Sequence, residues 1–415
     1  MTEKKKTNYN PLKKNKNHNI DISKIDNHLL DKIKKINISI PGIDKGITNN
    51  MKNLNIDTWA DFLLTEEIKI SKKSLQDTLS ISKTGKHVII KKLGQAYTED
   101  KLVFVLGAGV SIDFAVPSWN DLLQKLMVLT IDNKDSENMS LMFSKLFSPN
   151  PLISGRYLQN NLNESQKSFE QSVREALYTN VDKSIESKLF DEIVHYCAAP
   201  GKSPNLDSII TYNFDDILEE RISKIKINVP YRSIFGVGMH FNNGELPIYH
   251  VHGYLPEKGK LGKNNNITLG ENIYHQQYTD IYSWNNIVQI NKFRDNTCLF
   301  IGTSLTDPNM RRLLDIAHKQ KGDSKNSHYI FRERENIETI KEKFSELLKE
   351  NNNTVENQAL SENNKSKIDE TILFMKEMYE GFIEKDFESF GVKTIWLDHY
   401  DEIPEYLNNI RTKIN

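Results

Sequence analysis

Four apolar runs, each closed by a short polar motif, constrain this chain more than anything else in it. KLVFVL leads into Gly107-Ala108-Gly109-Val110-Ser111, and SII into Thr211-Tyr212-Asn213-Phe214-Asp215-Asp216. PIYHV leads into His252-Gly253, and CLFI into Gly302-Thr303-Ser304-Leu305. Short continuous apolar runs of this kind read as strands buried on both faces, as parallel sheets require. In an open α/β sheet, ligands bind beyond the carboxyl ends of the strands, where the loops converge. Four strand ends carrying glycine, asparagine, histidine and hydroxyl side chains therefore predict one shared pocket.

From residue 96 onward the pattern alternates between strands and helices. Strands are predicted at 101–106, 207–212, 247–251, 297–301, 327–331 and 393–397. The fold class is α/β: a Rossmann-like, mainly parallel sheet over 96–415 with a helical insertion at about 120–200. Within that insertion Phe169, Val173 and Leu177 form one apolar stripe, read as core. Residues 350–366 are polar and Asn-rich and read as an exposed loop between helices.

The segment before the sheet has a different character. Residues 1–20 are rich in Lys and Asn and nearly free of apolar side chains, so they predict a disordered basic tail. Residues 21–95 read as several short helices, a small all-α domain. Charge is split along the chain: residues 1–95 hold 19 lysines against 10 acidic side chains, whereas the remainder holds 36 basic against 46 acidic. A basic arm on an acidic body predicts a docking role for the arm, toward an acidic partner or an anionic surface.

Several classes are disfavoured. No apolar stretch approaches the roughly 20 residues that span a bilayer, and no apolar h-region follows Lys4–Lys6, so no membrane is expected and the cytoplasm is the default. The two cysteines, Cys197 and Cys298, are distant in sequence and lie in apolar contexts; they predict buried thiols, with no disulfide framework and no metal site. Gly201-Lys202-Ser203 resembles the end of a phosphate loop, but Tyr196 stands where that loop needs its first glycine.

Gly107-Ala108-Gly109 after a buried strand predicts a glycine turn opening a helix, with close backbone approach to a diphosphate. The third glycine of the dinucleotide fingerprint is missing, because Ile112 occupies its place. The stretch GAGVSIDFAVPSW, Gly107 to Trp119, resembles the first nucleotide-binding loop of the sirtuin family. Gly107, Ala108, Gly109, Ser111, Pro117 and Trp119 fit its register. Thr211, Asn213 and Asp215 fit the family's Thr-Gln-Asn-Ile-Asp motif, with Tyr212 in place of glutamine. His252-Gly253 fits its His-Gly, and Gly302, Thr303 and Ser304 its Gly-Thr-Ser-Leu loop.

The resemblance implies NAD as substrate, Asn213 and His252 as the catalytic pair, and the remaining residues as the dinucleotide cradle. Breaking the nicotinamide–ribose bond passes through an oxocarbenium-like state, and nicotinamide leaves neutral, so no strong acid is needed. Asn213 suits ordering a water or a ribose hydroxyl, Asp215 accepting from the carboxamide, and His252 general-base work. Each residue also has a structural alternative: Asn213 an Asx turn, Asp215 or Asp216 a helix cap, Thr303 and Ser304 caps. Asp307 and Asn309 read as turn and cap residues. His250 shares a side of its strand with His252, and one of the two is expected to be structural.

Departures from the deacylating sirtuins refine the expectation. The four-cysteine zinc ribbon has no counterpart here, and Ser118, Trp119 and Asn120 replace the acidic-aromatic-arginine sequence after Pro117. What remains resembles the NAD-hydrolysing branch found in bacterial antiphage defence. That implies a regulated NAD glycohydrolase, usually a homo-oligomer, with a partner such as a HerA-type hexameric ATPase docked through residues 21–95. The alternatives are an NAD-dependent protein deacylase or ADP-ribosyl transferase, and a non-catalytic NAD- or ADP-ribose-sensing module whose arm binds DNA. Residues 21–95 resemble a tandem helix-hairpin-helix domain, although Asp44 replaces the hairpin's second glycine and its carboxylate would repel a nucleic-acid phosphate.

Overall fold

The computed structural model describes residues 85–130, 151–163, 168–198, 205–225, 228–322, 327–351 and 362–412. The expected basic tail and nearly all of the expected hairpin domain lie outside the described residues. The described residues fall into two units. The larger holds those up to Glu335 and from Glu377 onward; the smaller holds those from Asn336 to Lys376.

The larger unit is built on a seven-stranded sheet. Its strands are β1 (Leu102–Leu106), β2 (Ser208–Thr211), β3 (Tyr231–Ile234), β4 (Leu246–His250), β5 (Thr297–Ile301), β6 (His328–Glu333) and β7 (Val392–Leu397). Their spatial order is β3-β4-β2-β1-β5-β6-β7, and every neighbouring pair is parallel. Successive strand residues face opposite sides, which explains why the central runs are apolar throughout. Leu102, Phe104 and Leu106 enter one core, while Val103 and Val105 enter the other. Leu299 and Ile301 likewise oppose Cys298 and Phe300.

Helices cover both faces. The first core receives α1 (Lys86–Thr98), α2 (Trp119–Thr130), α3 (Pro151–Asn163), α4 (Phe169–Tyr178), α5 (Lys188–Cys197), α6 (Ile217–Ser223) and α12 (Ile403–Thr412). Phe169, Val173 and Leu177 of α4 are all buried in it, so the apolar stripe is core as expected. Between this core and the second lies the sheet; the second is closed by α8 (Trp284–Asp295) and α9 (Pro308–Lys321), through Phe293, Met310, Leu313 and Leu314. Between β4 and α8 runs the short α7 (Glu271–Thr279). Both cysteines are buried as free thiols, and burial pushes each thiol's pKa up.

In the smaller unit, α10 (Ile337–Asn351) and the start of α11 (Glu362–Glu388) are joined by a Lys341–Asp369 ion pair of 3.0 Å. Residues 350–351 and 362–366 are therefore helical, where a loop was expected; the remainder of that stretch lies outside the described residues.

Six strands fall where the sequence places them. The seventh, β3, is a sheet-edge strand that the apolar-run criterion misses, because Tyr231, Arg232 and Ser233 keep solvent contact and only Ile234 is buried. Among the described residues, no helix is long and apolar enough to cross a membrane.

Candidate functional site

From β1 the chain adds β2, then the edge strand β3, inserts β4 between them, and returns to place β5 on the other side of β1. The β1/β5 boundary is thus the topological switch point, the position at which ligands bind in open α/β sheets. Both flanking loops carry glycines, and the packing requires them. A Cβ at Gly107 would lie 2.6 Å from the Gly302 carbonyl oxygen, and one at Gly109 would lie 2.7 Å from Gly302 Cα. Gly302 has φ of +67°, in the left-handed region, and its carbonyl accepts the Gly109 N–H at 2.8 Å.

This contact corrects one expectation. Gly107–Gly109 does not open an α-helix. The chain makes two single 3₁₀ turns, Ala108–Val110 and Ile112–Phe114, and α2 begins only at Trp119. The Gly109 amide is committed to Gly302, Ala115 turns left-handed, and Pro117 offers no N–H, so helix propagation stops. The loop therefore presents no α-helix N-terminus; its glycines serve the contact with Gly302, and Ala108 is exposed.

Ser111, Asn213 and Asp215 converge behind the loop. Asn213 Nδ2 donates to the Gly107 carbonyl and to Ser111 Oγ, each at 3.2 Å. A carbonyl can only accept, which fixes the amide orientation. Asn213 Oδ1 then has no protein partner among the described residues and remains available as an acceptor. The Asn213 backbone N–H donates to Thr211 Oγ1 at 3.1 Å, so the local turn is made by the threonine, and the Asn213 side chain makes the contacts with Gly107 and Ser111 in place of the Asx turn offered as its alternative. Ser111 Oγ donates to Asp215 Oδ1 at 3.4 Å, and the same oxygen accepts the Ile217 amide at 3.2 Å. Burial pushes the Asp215 carboxyl up to about 6, against the lowering by that amide. Asp216 instead accepts from Tyr178 Oη at 2.9 Å and pairs with Lys183 at 2.8 Å.

The histidines separate cleanly. The ring nitrogens of His250 face Glu219 Oε1 at 2.7 Å and the Asn213 carbonyl at 3.3 Å, so the ring buttresses the Asn213 backbone. His252, one strand residue pair further out, has a buried Nε2 with no hydrogen-bond partner. That nitrogen stands 3.8 Å from Asp307 Oδ2. Desolvation lowers the His252 pKa, and the Asp307 charge partly offsets it. The ring is held edge-on by Tyr212, with centroids 4.6 Å apart, and by Tyr274 at 6.0 Å. Gly253 follows with φ of +110°, where a Cβ would meet the Asn266 carbonyl at 2.2 Å.

The remaining predicted residues line the same end of the sheet. Trp119 packs against Phe214 with ring centroids 6.3 Å apart, next to the half-buried Pro117. Thr303 Oγ1 accepts the Leu305 amide at 3.3 Å, and the exposed Ser304 shares a 2.7 Å hydrogen bond with Thr306. Asp307 does cap α9, accepting the Met310 amide at 2.6 Å. Its second oxygen, however, accepts from Tyr274 Oη and faces His252. The cap is legible in the sequence; this second contact is not. Tyr274, on α7, belongs to no motif.

The chain has a Rossmann-like α/β fold, and its candidate site residues gather at the switch point of the sheet. Residues 207–355 match the family model of the SIR2-like domain, a span from β2 to α10 that takes in Asn213, His252 and Gly302. Over 336 residues, the chain is similar at 21% identity to the NAD(+) hydrolase ThsA of Enterococcus faecium. That similarity covers 79% of this chain and 59% of the relative's length.

Proposed function

We propose that the protein hydrolyses NAD to nicotinamide and ADP-ribose. The observation carrying this reading is the pairing of an oriented acceptor, Asn213 Oδ1, with a desolvated histidine at the end of the adjacent strand. The C1′–N bond breaks with its electron pair going to nicotinamide, and a water oxygen bonds to C1′. Asn213 Oδ1 accepts a hydrogen bond from the water or from a ribose hydroxyl and so orients it. Burial keeps His252 neutral at pH 7, the form a general base needs, and it takes the proton released. The glycine loops, with Ala108, Ser111, Pro117, Trp119, Thr211, Thr303 and Ser304, hold the dinucleotide, and Asp215 meets the carboxamide. The similarity to an NAD(+) hydrolase supports the same substrate.

A regulated antiphage role, homo-oligomerisation and a protein partner docked through residues 21–95 belong to this proposal and rest on the family resemblance. The test is incubation of the full chain with NAD, alone and with candidate partners, followed by chromatography. Nicotinamide and ADP-ribose are expected in equal amounts, with turnover reduced about 10²–10⁴-fold in His252→Ala. Undiminished turnover in that variant, or none by the wild type in any mixture, overturns the reading.

A further inference from the structure

The backbone on either side of the His252 ring is fixed. The His252 carbonyl accepts the Thr268 N–H at 2.7 Å, and the Val251 carbonyl accepts Asn285 Nδ2 at 3.2 Å. Tyr212 and Tyr274 flank the ring edge-on. A ring held in this way shows its two nitrogens to different surroundings. Nε2 is enclosed and has no hydrogen-bond partner. Nδ1 also makes no hydrogen bond among the described residues, but it keeps accessible surface. That surface belongs to a chamber of about 520 Å³, which His252 lines together with Gly253, Thr268, Asn272, Ser283 and Trp284. Nδ1 is therefore the nitrogen that a reacting molecule can reach.

The enclosed nitrogen faces a carboxylate. Asp307 Oδ2 stands 3.8 Å from Nε2, too far for a hydrogen bond and close enough for its charge to act in a desolvated setting. Both Asp307 oxygens are anchored: Oδ1 accepts the Met310 amide at 2.6 Å, and Oδ2 accepts from Tyr274 Oη. The carboxylate cannot swing away to relieve a repulsion. A neutral imidazole carries one proton, on either nitrogen. With that proton on Nδ1, the Nε2 lone pair would point at a negative charge. With the proton on Nε2, the N–H dipole points at it, and the lone pair is left on Nδ1.

We infer that Asp307 is a positioning residue for the base: it selects the Nε2–H tautomer of His252, so that Nδ1, on the chamber side, takes the proton from the attacking water. The inference rests on the hydrolase reading above. The water oxygen bonds to C1′ as the C1′–N pair leaves on nicotinamide, and the water proton passes to Nδ1. The ring becomes an imidazolium with its Nε2–H turned to Asp307. The carboxylate stabilises that charge without taking the proton, which is the part an aspartate plays behind a catalytic histidine. Nδ1 then releases the proton to solvent, and no oxidant or reductant is consumed.

The experiment reads the tautomer directly. Long-range proton–nitrogen spectra of the full chain, labelled at its histidine nitrogens, are recorded without NAD at mildly alkaline pH, where the ring is neutral. His252→Gln identifies the His252 signals. The wild type is expected to be protonated on Nε2. In Asp307→Asn the side-chain oxygen must stay on the Met310 amide, so the new NH₂ faces Nε2 and donates to it. The proton is then expected on Nδ1, with kcat at least tenfold lower and KM within a few-fold of wild type. Tyr274→Phe keeps the carboxylate and should keep the Nε2–H tautomer. Protonation on Nδ1 in the wild type overturns the inference, and the wild-type spectrum alone decides if the asparagine variant does not fold. Retention of Nε2–H in Asp307→Asn, or an undiminished kcat once its tautomer has changed, overturns it equally. Absence of nicotinamide release by the wild type, with the tautomers as expected, overturns the hydrolase reading and not the selection of the tautomer.

Discussion

The crevice at β1/β5 and the chamber beside His252 are built on opposite principles. In the crevice, backbone meets backbone: Gly107 and Gly109 press on Gly302, and Asn213 is tied by two hydrogen bonds to that loop. Beside His252 the walls are side-chain amides and hydroxyls, several of them unpartnered. The first arrangement is fixed by backbone crowding and tolerates no added side chain at its glycines; the second is set by side chains and can be altered one residue at a time. The difference teaches that the proposed dinucleotide cradle is part of the fold's own packing, whereas the surroundings of His252 are not.

The comparison breaks most severely at Gly302. Gly302→Val adds a β-branched side chain at φ +67°, with a Cβ 2.5 Å from the Val110 nitrogen. The expected loss is about 3–5 kcal/mol of stability, combining backbone strain and overpacking, read by chemical denaturation. Ser304→Ala, on the exposed side of the same loop, should stay within about 0.5 kcal/mol. Equal losses in the two variants would contradict a backbone-built crevice.

A second contrast separates two buried histidines. His328 accepts the Cys298 N–H at 3.1 Å and is satisfied, and burial first of all lowers its pKa to about 3. A depressed folded pKa means that the unfolded chain binds the proton first, so stability is complete above pH 6.5 and is lost as pH falls toward 3. The advantage of wild type over His328→Asn should therefore shrink by about 2 kcal/mol between pH 6.5 and 5. A gap independent of pH would show that His328 is not held neutral.

His252 gives the smallest effect and the finest one. Its pKa is lowered from 6.5 by burial and raised by Asp307. Turnover should thus keep its plateau down to pH 6.5 and fall only below it. Asp307→Asn retains an oxygen to cap α9 and removes the charge, so the acid limb should move to lower pH. A limb that stays in place, or moves up, would remove Asp307 from the control of His252.

The contrast also explains how much was legible beforehand. The crevice is read from sequence because backbone crowding demands glycine at fixed positions, and because Leu102–Leu106 and Thr297–Ile301 are apolar without interruption. The helix expected after Gly107 failed because a tertiary contact, Gly109 to Gly302, took the amide. The chamber left no such trace. Asn272, Ser283 and Trp284 are ordinary helix-end and surface residue types, brought to His252 only by the packing of α7 and α8. Tyr274 and the second oxygen of Asp307 meet across 33 positions of sequence, a separation that carries no local pattern.

The central claim, that Asn213 acts on the reacting group through Oδ1 in addition to tying the Gly107 loop through Nδ2, is tested most directly by Asn213→Ala. NAD affinity by calorimetry and nicotinamide release are measured on the same preparation. The account predicts release reduced at least 100-fold with affinity within a few-fold of wild type. Unchanged release, or release and affinity falling together, would contradict it.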